Sequence, residues 1–178
     1  GGWPGIIQPA THYDTQAMSK NIYIRNNTVY NSWGEGILIG RTDGAEISGN
    51  TIYDVYSLGI YLDNCRNIKI NGNIIYRLTS TYDRVNSDGS KKRMHGIGLA
   101  NESAGSGSVI PLENITIANN LIVNTKNGIN YYYANTSEYL AGSTYSNLNI
   151  YHNIVKGATD YAIMAWPTSV APTNVEIV

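Results

Sequence analysis

Asn67-Ile-Lys-Ile-Asn-Gly-Asn-Ile-Ile-Tyr76 is the stretch that decides the fold, because the chain repeats its pattern. Apolar and polar residues alternate in it, and an asparagine stands three positions after the second apolar residue. Alternation with a period of two predicts a strand that buries one face. Recurrence of the pattern predicts a repeat architecture. The copies begin at Asn21, Ala45, Asn67, Asn114 and Asn147, and a clipped sixth copy begins at Asn174.

A second recurring phrase, Gly-Ile, follows each copy. It stands at Gly36, Gly59, Gly96 and Gly128, and as Ala-Ile at Ala162; Gly5-Ile-Ile-Gln8 matches it before the first full copy. The unit is therefore a strand, an asparagine corner, a short strand, a turn, a Gly-Ile strand and a turn. Stacked units of this kind bury apolar residues that one unit leaves exposed, so the sequence predicts an all-β parallel β-helix of about five coils with three short strands each.

Stacking places equivalent residues above one another and predicts the inward columns of the helix. One apolar column is Ile24, Ile47, Ile70, Ile117 and Ile150. A second is Val29, Ile52, Ile75, Ile122 and Val155, and a third is Ile37, Ile60, Ile97, Ile129 and Ile163. A buried amide ladder is predicted for Asn27, Asn50, Asn73, Asn120 and Asn153. An aromatic stack is predicted for Tyr30, Tyr53 and Tyr76.

Composition excludes several classes of function. Charged residues make up 14% of the chain and the net charge is −1, which argues against a nucleic-acid partner. The single Cys65 excludes an intrachain disulfide and a multi-cysteine metal site. No apolar run has transmembrane length, so no membrane insertion is expected. The first residue is not methionine and Val178 stops inside a repeat, so we expect a piece of a longer protein.

The pattern Asn-Ile-x-Ile-x-x-Asn-x-Ile with the Gly-Ile phrase resembles the right-handed parallel β-helix repeat proteins of the pectate-lyase-like superfamily. The resemblance covers nearly the whole chain and implies one right-handed solenoid domain over residues 1–178. It also implies a secreted protein, extracellular or at the cell surface, that binds or degrades a polysaccharide. The reaction would be that of a polysaccharide lyase or a glycoside hydrolase, with the substrate in a groove along the Gly-Ile strands.

Insertions that interrupt the repeat indicate where a functional site would lie. They are predicted at residues 79–94, 101–113 and 135–146. The two larger ones belong to the third coil and flank its Gly-Ile strand. Loops of a solenoid often wall a binding face, so we expect the site around His95-Gly-Ile-Gly-Leu-Ala-Asn101.

Acidic residues beside the Gly-Ile strands are the candidate catalytic groups, together with His95. Asp63 lies one coil from Ala100, and Glu102 lies two residues further, which places the two acids about 8 Å apart at Cα. Inverting glycosidases hold an acid and a base at about that separation. Glu35 and His95 share the position before the Gly-Ile phrase, two coils or about 10 Å apart. The alternative is that all of these residues are ordinary turn and loop residues.

Substrate-binding candidates are aromatic or basic. Aromatic side chains along an exposed sheet face can stack on sugar rings, and the candidates on or beside the Gly-Ile strands are Trp33, Tyr61, Tyr131 and Trp166, with Tyr132 beside them. Glu35 and Arg66 are the polar candidates. Arg66 also aligns with Asp43 one coil away, and Lys69 with Glu46, so cross-strand ion pairs are the alternative.

The resemblance to polysaccharide lyases also implies an arginine or lysine base and Ca²⁺ that acidifies a uronate. No compact cluster of aspartates matches a calcium site, so no metal ligands and no cofactor are predicted, and Ca²⁺ enters only if the chain is a lyase. The alternative function is a non-catalytic structural, adhesin or filament-forming module. In that case exposed strand edges at the ends of the helix would favour end-to-end self-association.

Overall fold

Three parallel β-sheets wind around a common core. The computed structural model describes residues 4–10, 17–102, 110–131, 145–165 and 173–178. In chain order its strands are β1 (Ser19–Arg25), β2 (Thr28–Ser32), β3 (Ile37–Gly40), β4 (Thr42–Ser48), β5 (Thr51–Val55), β6 (Leu58–Asp63), β7 (Arg66–Asn71), β8 (Ile74–Tyr76), β9 (Arg84–Val85), β10 (Lys91–Lys92), β11 (His95–Ala100), β12 (Leu112–Ala118), β13 (Leu121–Val123), β14 (Asn127–Tyr131), β15 (Tyr145–Tyr151), β16 (Ile154–Lys156), β17 (Tyr161–Ala165) and β18 (Thr173–Ile177).

Each coil contributes one strand to each of the three sheets, and strands at equivalent positions of successive coils pair with each other, which confirms the parallel β-helix. Sheet 1 has the order β1-β4-β7-β12-β15-β18, sheet 2 the order β2-β5-β8-β13-β16, and sheet 3 the order β3-β6-β11-β14-β17. Sheet 3 contains the Gly-Ile strands. Five coils are complete, and β18 is the clipped sixth copy of the repeat. The insertion of the third coil contains β9 and β10, which pair as an antiparallel hairpin.

The predicted apolar columns are confirmed by the register of all three sheets. In sheet 1, Ile70 pairs with both Ile47 and Ile117, and the other two columns are aligned in the same way. The isoleucines in the middle coils are completely buried. Burying one such side chain contributes about 1.5–3 kcal/mol, so the columns supply the main stabilising term.

The glycine of the Gly-Ile phrase is required by a close approach between sheets 2 and 3. A Cβ added at Gly59 would lie 2.5 Å from Ile75 Cγ2 and 2.9 Å from the Gly96 carbonyl oxygen. The corner leaves no room for a methyl group there. The glycine therefore recurs in the first four coils, where the corner between the sheets is narrow, and Ala162 replaces it in the fifth.

The predicted asparagine ladder is also confirmed, and its middle members Asn50, Asn73 and Asn120 are buried, whereas Asn27 at one end is exposed and Asn153 at the other is half-buried. Each Nδ2 donates to Oδ1 of the next asparagine, at 3.1 Å from Asn27 to Asn50 and 2.9 Å from Asn50 to Asn73. The same bond continues at 2.9 Å from Asn73 to Asn120 and at 2.9 Å from Asn120 to Asn153. The amides also donate to backbone carbonyls such as that of Ile47. Buried polar groups are thereby satisfied along the whole corner.

A second asparagine ladder, not predicted from the sequence, lies on the solvent face of sheet 1. Asn174 donates to Asn147 at 2.9 Å, Asn147 to Asn114 at 2.8 Å, and Asn114 to Asn67 at 2.8 Å. Asn67 donates in turn to Asp43 at 2.6 Å. These four asparagines have φ of 51° to 58°, the left-handed region that asparagine tolerates better than most residues. They are the first residues of the repeated phrase, so the signal was present in the sequence.

The Tyr30, Tyr53 and Tyr76 stack is confirmed, with ring centroids 5.1 Å and 5.0 Å apart. The alignment of Gly5-Ile-Ile-Gln8 with the Gly-Ile phrase is wrong by one residue. Ile7 pairs with Ile37 and packs against the core, whereas Ile6 is exposed. Alternation alone could not choose between two consecutive isoleucines, because either one can face inward.

The predicted insertions 101–113 and 135–146 end too late. Strand β12 already begins at Leu112 and β15 at Tyr145, and these two residues are paired and buried. The physical reason is the left-handed backbone at Asn114 and Asn147, which interrupts the period-two alternation within each strand. Residues 103–109 and 132–144 lie outside the described part of the chain.

Candidate functional site

Sheet 3 differs from the other sheets because both faces of its first four strands are buried, whereas β17 at its edge is exposed or half-buried. Every residue of β3, β6, β11 and β14 is buried, whereas the strands of sheet 1 alternate. The outer face of these strands carries a small apolar cluster of Leu38, Leu58, Tyr61 and Ala100. Buried polar residues lie on or beside this face: Glu35, Asp63, His95, Asn127 and Asn130. Buried polar groups in this number are unusual, which makes this face the candidate site.

Glu35 is a buried carboxyl group of this face with a raised pKa. It directly precedes the Gly-Ile phrase of the first coil and is only 3% exposed. Its side chain is hydrogen-bonded to Ser57, while Oε2 has no hydrogen-bond partner in the described part of the chain. Burial, with a smaller contribution from the nearby Glu102 carboxylate, raises the pKa of Glu35 from 4.5 to about 7 against the opposing effect of its hydrogen bonds.

Glu102 is held over the same face by three hydrogen bonds. The Tyr61 hydroxyl donates to Glu102 Oε1 at 2.6 Å. The Glu102 backbone N–H donates to Asp63 Oδ1 at 2.8 Å, and Asn64 Nδ2 donates to the Glu102 carbonyl oxygen at 2.8 Å. Both the backbone and the carboxylate of Glu102 are therefore fixed relative to β6.

Asp63 is too deeply buried to serve in the predicted pair of catalytic carboxylates. Its register opposite Ala100 is as predicted, but the residue is 0% exposed. Its Oδ1 accepts from both Asn64 Nδ2, at 2.8 Å, and the Glu102 N–H. A carboxylate enclosed in this way holds a loop in position and is closed to solvent. The structure instead brings Glu102 near Glu35, a pair that the sequence did not predict.

His95 lies on the same corner as Glu35, two coils away as predicted. Its backbone N–H donates to the Ser57 carbonyl oxygen at 2.8 Å, so Ser57 lies between the two residues. Burial is the main reason that the pKa of His95 falls from 6.5 to about 4, and the cations Lys92 and Lys126 lower it further. The imidazole is consequently neutral at pH 7.

The aromatic candidates divide between surface and core. Trp33 is 64% exposed and is tilted against Tyr82 of the insertion, with ring centroids 4.9 Å apart, and against Tyr56 at 6.4 Å. Tyr61 lies on the outer face but is buried. The outward orientation predicted for Tyr131 is wrong, because it is 4% exposed within the main core. Trp166 and Tyr132 lie outside the described residues.

Tyr131 faces inward because it continues the column of Leu62 and Leu99, with which it is in register. A side chain in this column cannot stack on a sugar. Trp33 is therefore the exposed aromatic candidate in the described part of the chain. Tyr82 joins it from an insertion, where repeat periodicity gives no information about contacts.

Arg66 lies on sheet 1, away from the Gly-Ile strands. Its guanidinium donates to Asp43 Oδ2 at 2.8 Å and lies 3.8 Å from Glu113, and the bond to Asp43 raises the pKa of Arg66. The predicted cross-strand ion pair is therefore present. Lys69 and Glu46 are in register as predicted, but Glu46 accepts two hydrogen bonds from Arg25, at 3.0 Å and 2.6 Å.

Neither a metal site nor a membrane span is found in the described ranges. They contain no group of three or more histidine, cysteine, aspartate or glutamate side chains that could hold a metal ion. The described residues do not fit the Ca²⁺ that a lyase would imply. No helix there is long and apolar enough to cross a membrane.

Two outer-face features were not predicted from the sequence. Ser57, in a turn, interacts with Glu35 through its side chain and with His95 through its carbonyl group. Asn130 is completely buried, and neither its Oδ1 nor its Nδ2 has a hydrogen-bond partner among the residues that the structure describes. Such an amide is costly unless a ligand or water completes it. Its outward position in the Gly-Ile strand was the available signal.

Comparison with known proteins supports the architecture. The model of a family described as a right-handed β-helix region matches residues 10–176. No curated protein and no solved structure matches the chain. The family match agrees with the right hand that the resemblance implied.

Proposed function

This chain belongs to the right-handed β-helix family, and from that premise we propose that it is an extracellular glycoside hydrolase acting on a polysaccharide. The proposed site is the outer face of sheet 3 at Glu35, Tyr61 and Glu102. The observation that carries the proposal is the buried Glu35 carboxyl group, whose pKa is raised to about 7 beside a second carboxylate.

Glu35 has the properties of a general acid. A group with a pKa of about 7 is close to half protonated at neutral pH. A protonated carboxyl can donate its proton to the glycosidic oxygen as the bond to the leaving sugar breaks. Glycosidases use a carboxylic acid whose pKa has been raised by burial in this role.

Glu102 supplies the second carboxylate. The Tyr61 hydroxyl donates to it, which orients the carboxylate. In the proposed reaction Glu102 acts at the sugar carbon, either by removing a proton from the attacking water or by attacking directly. The two-carboxylate mechanism of glycoside hydrolysis uses both of these routes.

Trp33 supplies an exposed surface for a sugar ring. It lies two residues before Glu35, and Tyr82 and Tyr56 hold its ring in a fixed position. A sugar stacked on this indole would be bound next to the proposed acid. Aromatic rings combine a large apolar surface with defined geometry, which suits this type of binding.

Glu35→Gln and Glu102→Gln test the proposal on a panel of neutral and uronate polysaccharides. Each variant should lower the rate at which reducing ends appear by at least about 100-fold, since general acid–base groups contribute that much. Glu176→Gln, at an exposed position of β18, is the matched control and should keep full activity. Unchanged turnover in Glu35→Gln would overturn the proposed role, and products that absorb in the ultraviolet would identify a lyase instead.

The second candidate function is a non-catalytic structural module. The continuous stack favours it, because the inner asparagine ladder extends from Asn27 to Asn153 through all five complete coils. Exposed apolar residues on β16 and β18, Ile154 and Ile177, suit association with further β-structure. Absence of turnover on every substrate, together with fibres in electron micrographs, would support this function and the predicted end-to-end association.

A further inference from the structure

The second asparagine ladder, on the solvent face of sheet 1, borders a groove that lies on a different sheet from the proposed active site. A second row of side chains, two residues further along each strand, borders the groove as well. The groove has a volume of about 300 Å³ and is lined by Asn67, Lys69, Asn114, Thr116, Asn147 and Asn149. Lys69, Thr116 and Asn149 are in register with one another, so both rows run along the helix axis. A volume of this size is at the lower end of the range for ligand sites.

Each asparagine in the middle of this ladder keeps hydrogen-bonding capacity. A side-chain amide has two N–H donors and an oxygen with two lone pairs. Asn114 uses one N–H to reach Asn67 and one lone pair to accept from Asn147, each at 2.8 Å. Asn147 is engaged in the same way between Asn114 and Asn174. Among the residues that the structure describes, one N–H and one lone pair therefore remain on each amide, and this pair recurs at the spacing of the strands, about 4.8 Å.

The backbone of sheet 1 does not require all of these amides. Gly44 occupies the position of Asn67 in the second coil with a φ of 90°, so a residue without a side chain serves the fold there. Asn149 lies in the interior of β15 and is not among the residues with positive φ, although asparagine is depleted in ordinary strands. The amides of the groove thus exceed what the fold needs, which points to a ligand.

We propose that this groove binds one chain of a neutral polysaccharide through its hydroxyl groups, as a second binding surface separate from the carboxylate pair. Each sugar hydroxyl is both a donor and an acceptor, which matches the N–H and the lone pair that each ladder amide offers. A linear polysaccharide repeats such hydroxyls along its length, as the groove repeats its amides along the helix axis. The inference does not depend on whether the protein cleaves its ligand.

Spacing and charge favour this ligand over an extended peptide or an acidic chain. Equivalent groups on one side of an extended peptide recur every two residues, at about 6.6 Å, whereas the strands of the groove are about 4.8 Å apart, so a peptide loses register after one contact. The row of Lys69, Thr116 and Asn149 continues to Glu176 on β18. Its two ends therefore carry opposite charges and its middle is uncharged, which gives an acidic chain no net attraction.

Titration of the isotope-labelled full chain with neutral hexasaccharides of glucose, mannose and xylose, followed by NMR, tests the groove. The side-chain amide signals of Asn114, Asn147 and Asn149 should shift on binding, and those of Asn119 should not. Asn147→Gly should weaken binding about tenfold, because two hydrogen bonds to the ligand are lost. Asn119→Gly is the matched control and should keep full affinity. Asn119 is also exposed, has a φ of 56° and donates to Asn71 at 2.8 Å, but it does not line the groove.

No shift of the groove signals with any of the three sugars, or unchanged affinity in Asn147→Gly, would overturn the proposal. Thermal unfolding checks that each variant is folded, and Thr116→Val, which replaces a hydroxyl by a methyl group, gives a second reading that should also weaken binding. If no sugar shifts the signals and sedimentation shows a dimer that Asn147→Gly abolishes, a second copy of the chain occupies the groove and the glycan is rejected. Groove binding without turnover rejects the proposed reaction alone, whereas turnover without groove binding rejects the groove alone.

Discussion

The backbone N–H of Glu102 donates to Asp63 Oδ1 at 2.8 Å, so a fully buried carboxylate on β6 fixes the residue that follows β11. Asn64 strengthens the same connection, because it donates to the Glu102 carbonyl oxygen and accepts from the Ile110 N–H at 3.0 Å. Asp63 and Asn64 thus hold both ends of the chain segment between Glu102 and Ile110. This pairing makes Asp63 a positioning residue and leaves Glu102 and Glu35 as the candidate acids.

Asp63→Ala should destabilise the fold and displace Glu102. It leaves the partly buried Glu102 N–H without its acceptor and removes one of the two acceptors of Asn64 Nδ2, which costs about 1–3 kcal/mol. Denaturant unfolding measures that loss, and turnover should fall with it. Asp63→Asn keeps an oxygen in place and is the matched control, with most of the activity retained. Equal loss of activity in both variants would contradict a purely positioning role.

The pH dependence of stability should reveal both perturbed groups. The pKa of Glu35 rises from 4.5 to about 7 on folding, so its stabilising contribution is complete below pH 4.5 and is lost as the pH rises to 7. The pKa of His95 falls from 6.5 to about 4, so stability is lost on acidification between those values. Each shift corresponds to an effect on the order of 3 kcal/mol.

Between pH 4.5 and 6.5 these two slopes have opposite signs and largely cancel. Glu35→Gln should therefore show a free energy of unfolding that rises with pH across this window, and His95→Gln one that falls. Urea unfolding at a series of pH values measures both. A wild-type slope retained in the two variants would show that other groups titrate there.

The inner asparagine ladder should contribute far more stability than the outer one. Asn73→Ala removes an acceptor from both the Asn50 N–H and the Asn50 side chain, and a donor from Asn120, all within the core. We expect a loss of about 3 kcal/mol or more, since each buried group left unsatisfied costs about 1–3 kcal/mol. Asn114→Gly is the comparison on the exposed ladder; it keeps the left-handed backbone and should cost less than about 1 kcal/mol.

The fold could be predicted from the sequence because each repeat has the same pattern of apolar residues and asparagines. Ile24, Ile47 and Ile70 recur at a constant interval, and stacking converts that interval directly into contact. The repeat pattern does not predict the structure of the insertion in the third coil. Tyr82 and Lys92 lie in an insertion without a copy elsewhere, so no periodicity indicates what they touch.

The sequence indicated which residues lie beside the Gly-Ile strands but not how their side chains are grouped. The residues around the Gly-Ile strands were expected, and Glu35, Tyr61 and Glu102 are among them. Their grouping depends on side-chain direction and on a hydrogen bond across 41 residues of sequence, from Tyr61 to Glu102. The direction of the Tyr131 side chain was also not predictable from its residue type, because it follows from the register with Leu99.

Tyr61→Phe tests how the proposed base is oriented. The substitution keeps the ring in the apolar cluster with Leu38 and Leu58 and removes only the hydroxyl that donates to Glu102 at 2.6 Å. Without this donor the Glu102 carboxylate is no longer held in one orientation. We expect kcat to fall about tenfold with KM nearly unchanged, as for an interaction made mainly in the transition state. Tyr56→Phe, on the neighbouring turn, is the control; a rise in KM alone for Tyr61→Phe would instead show that the hydroxyl binds the substrate directly.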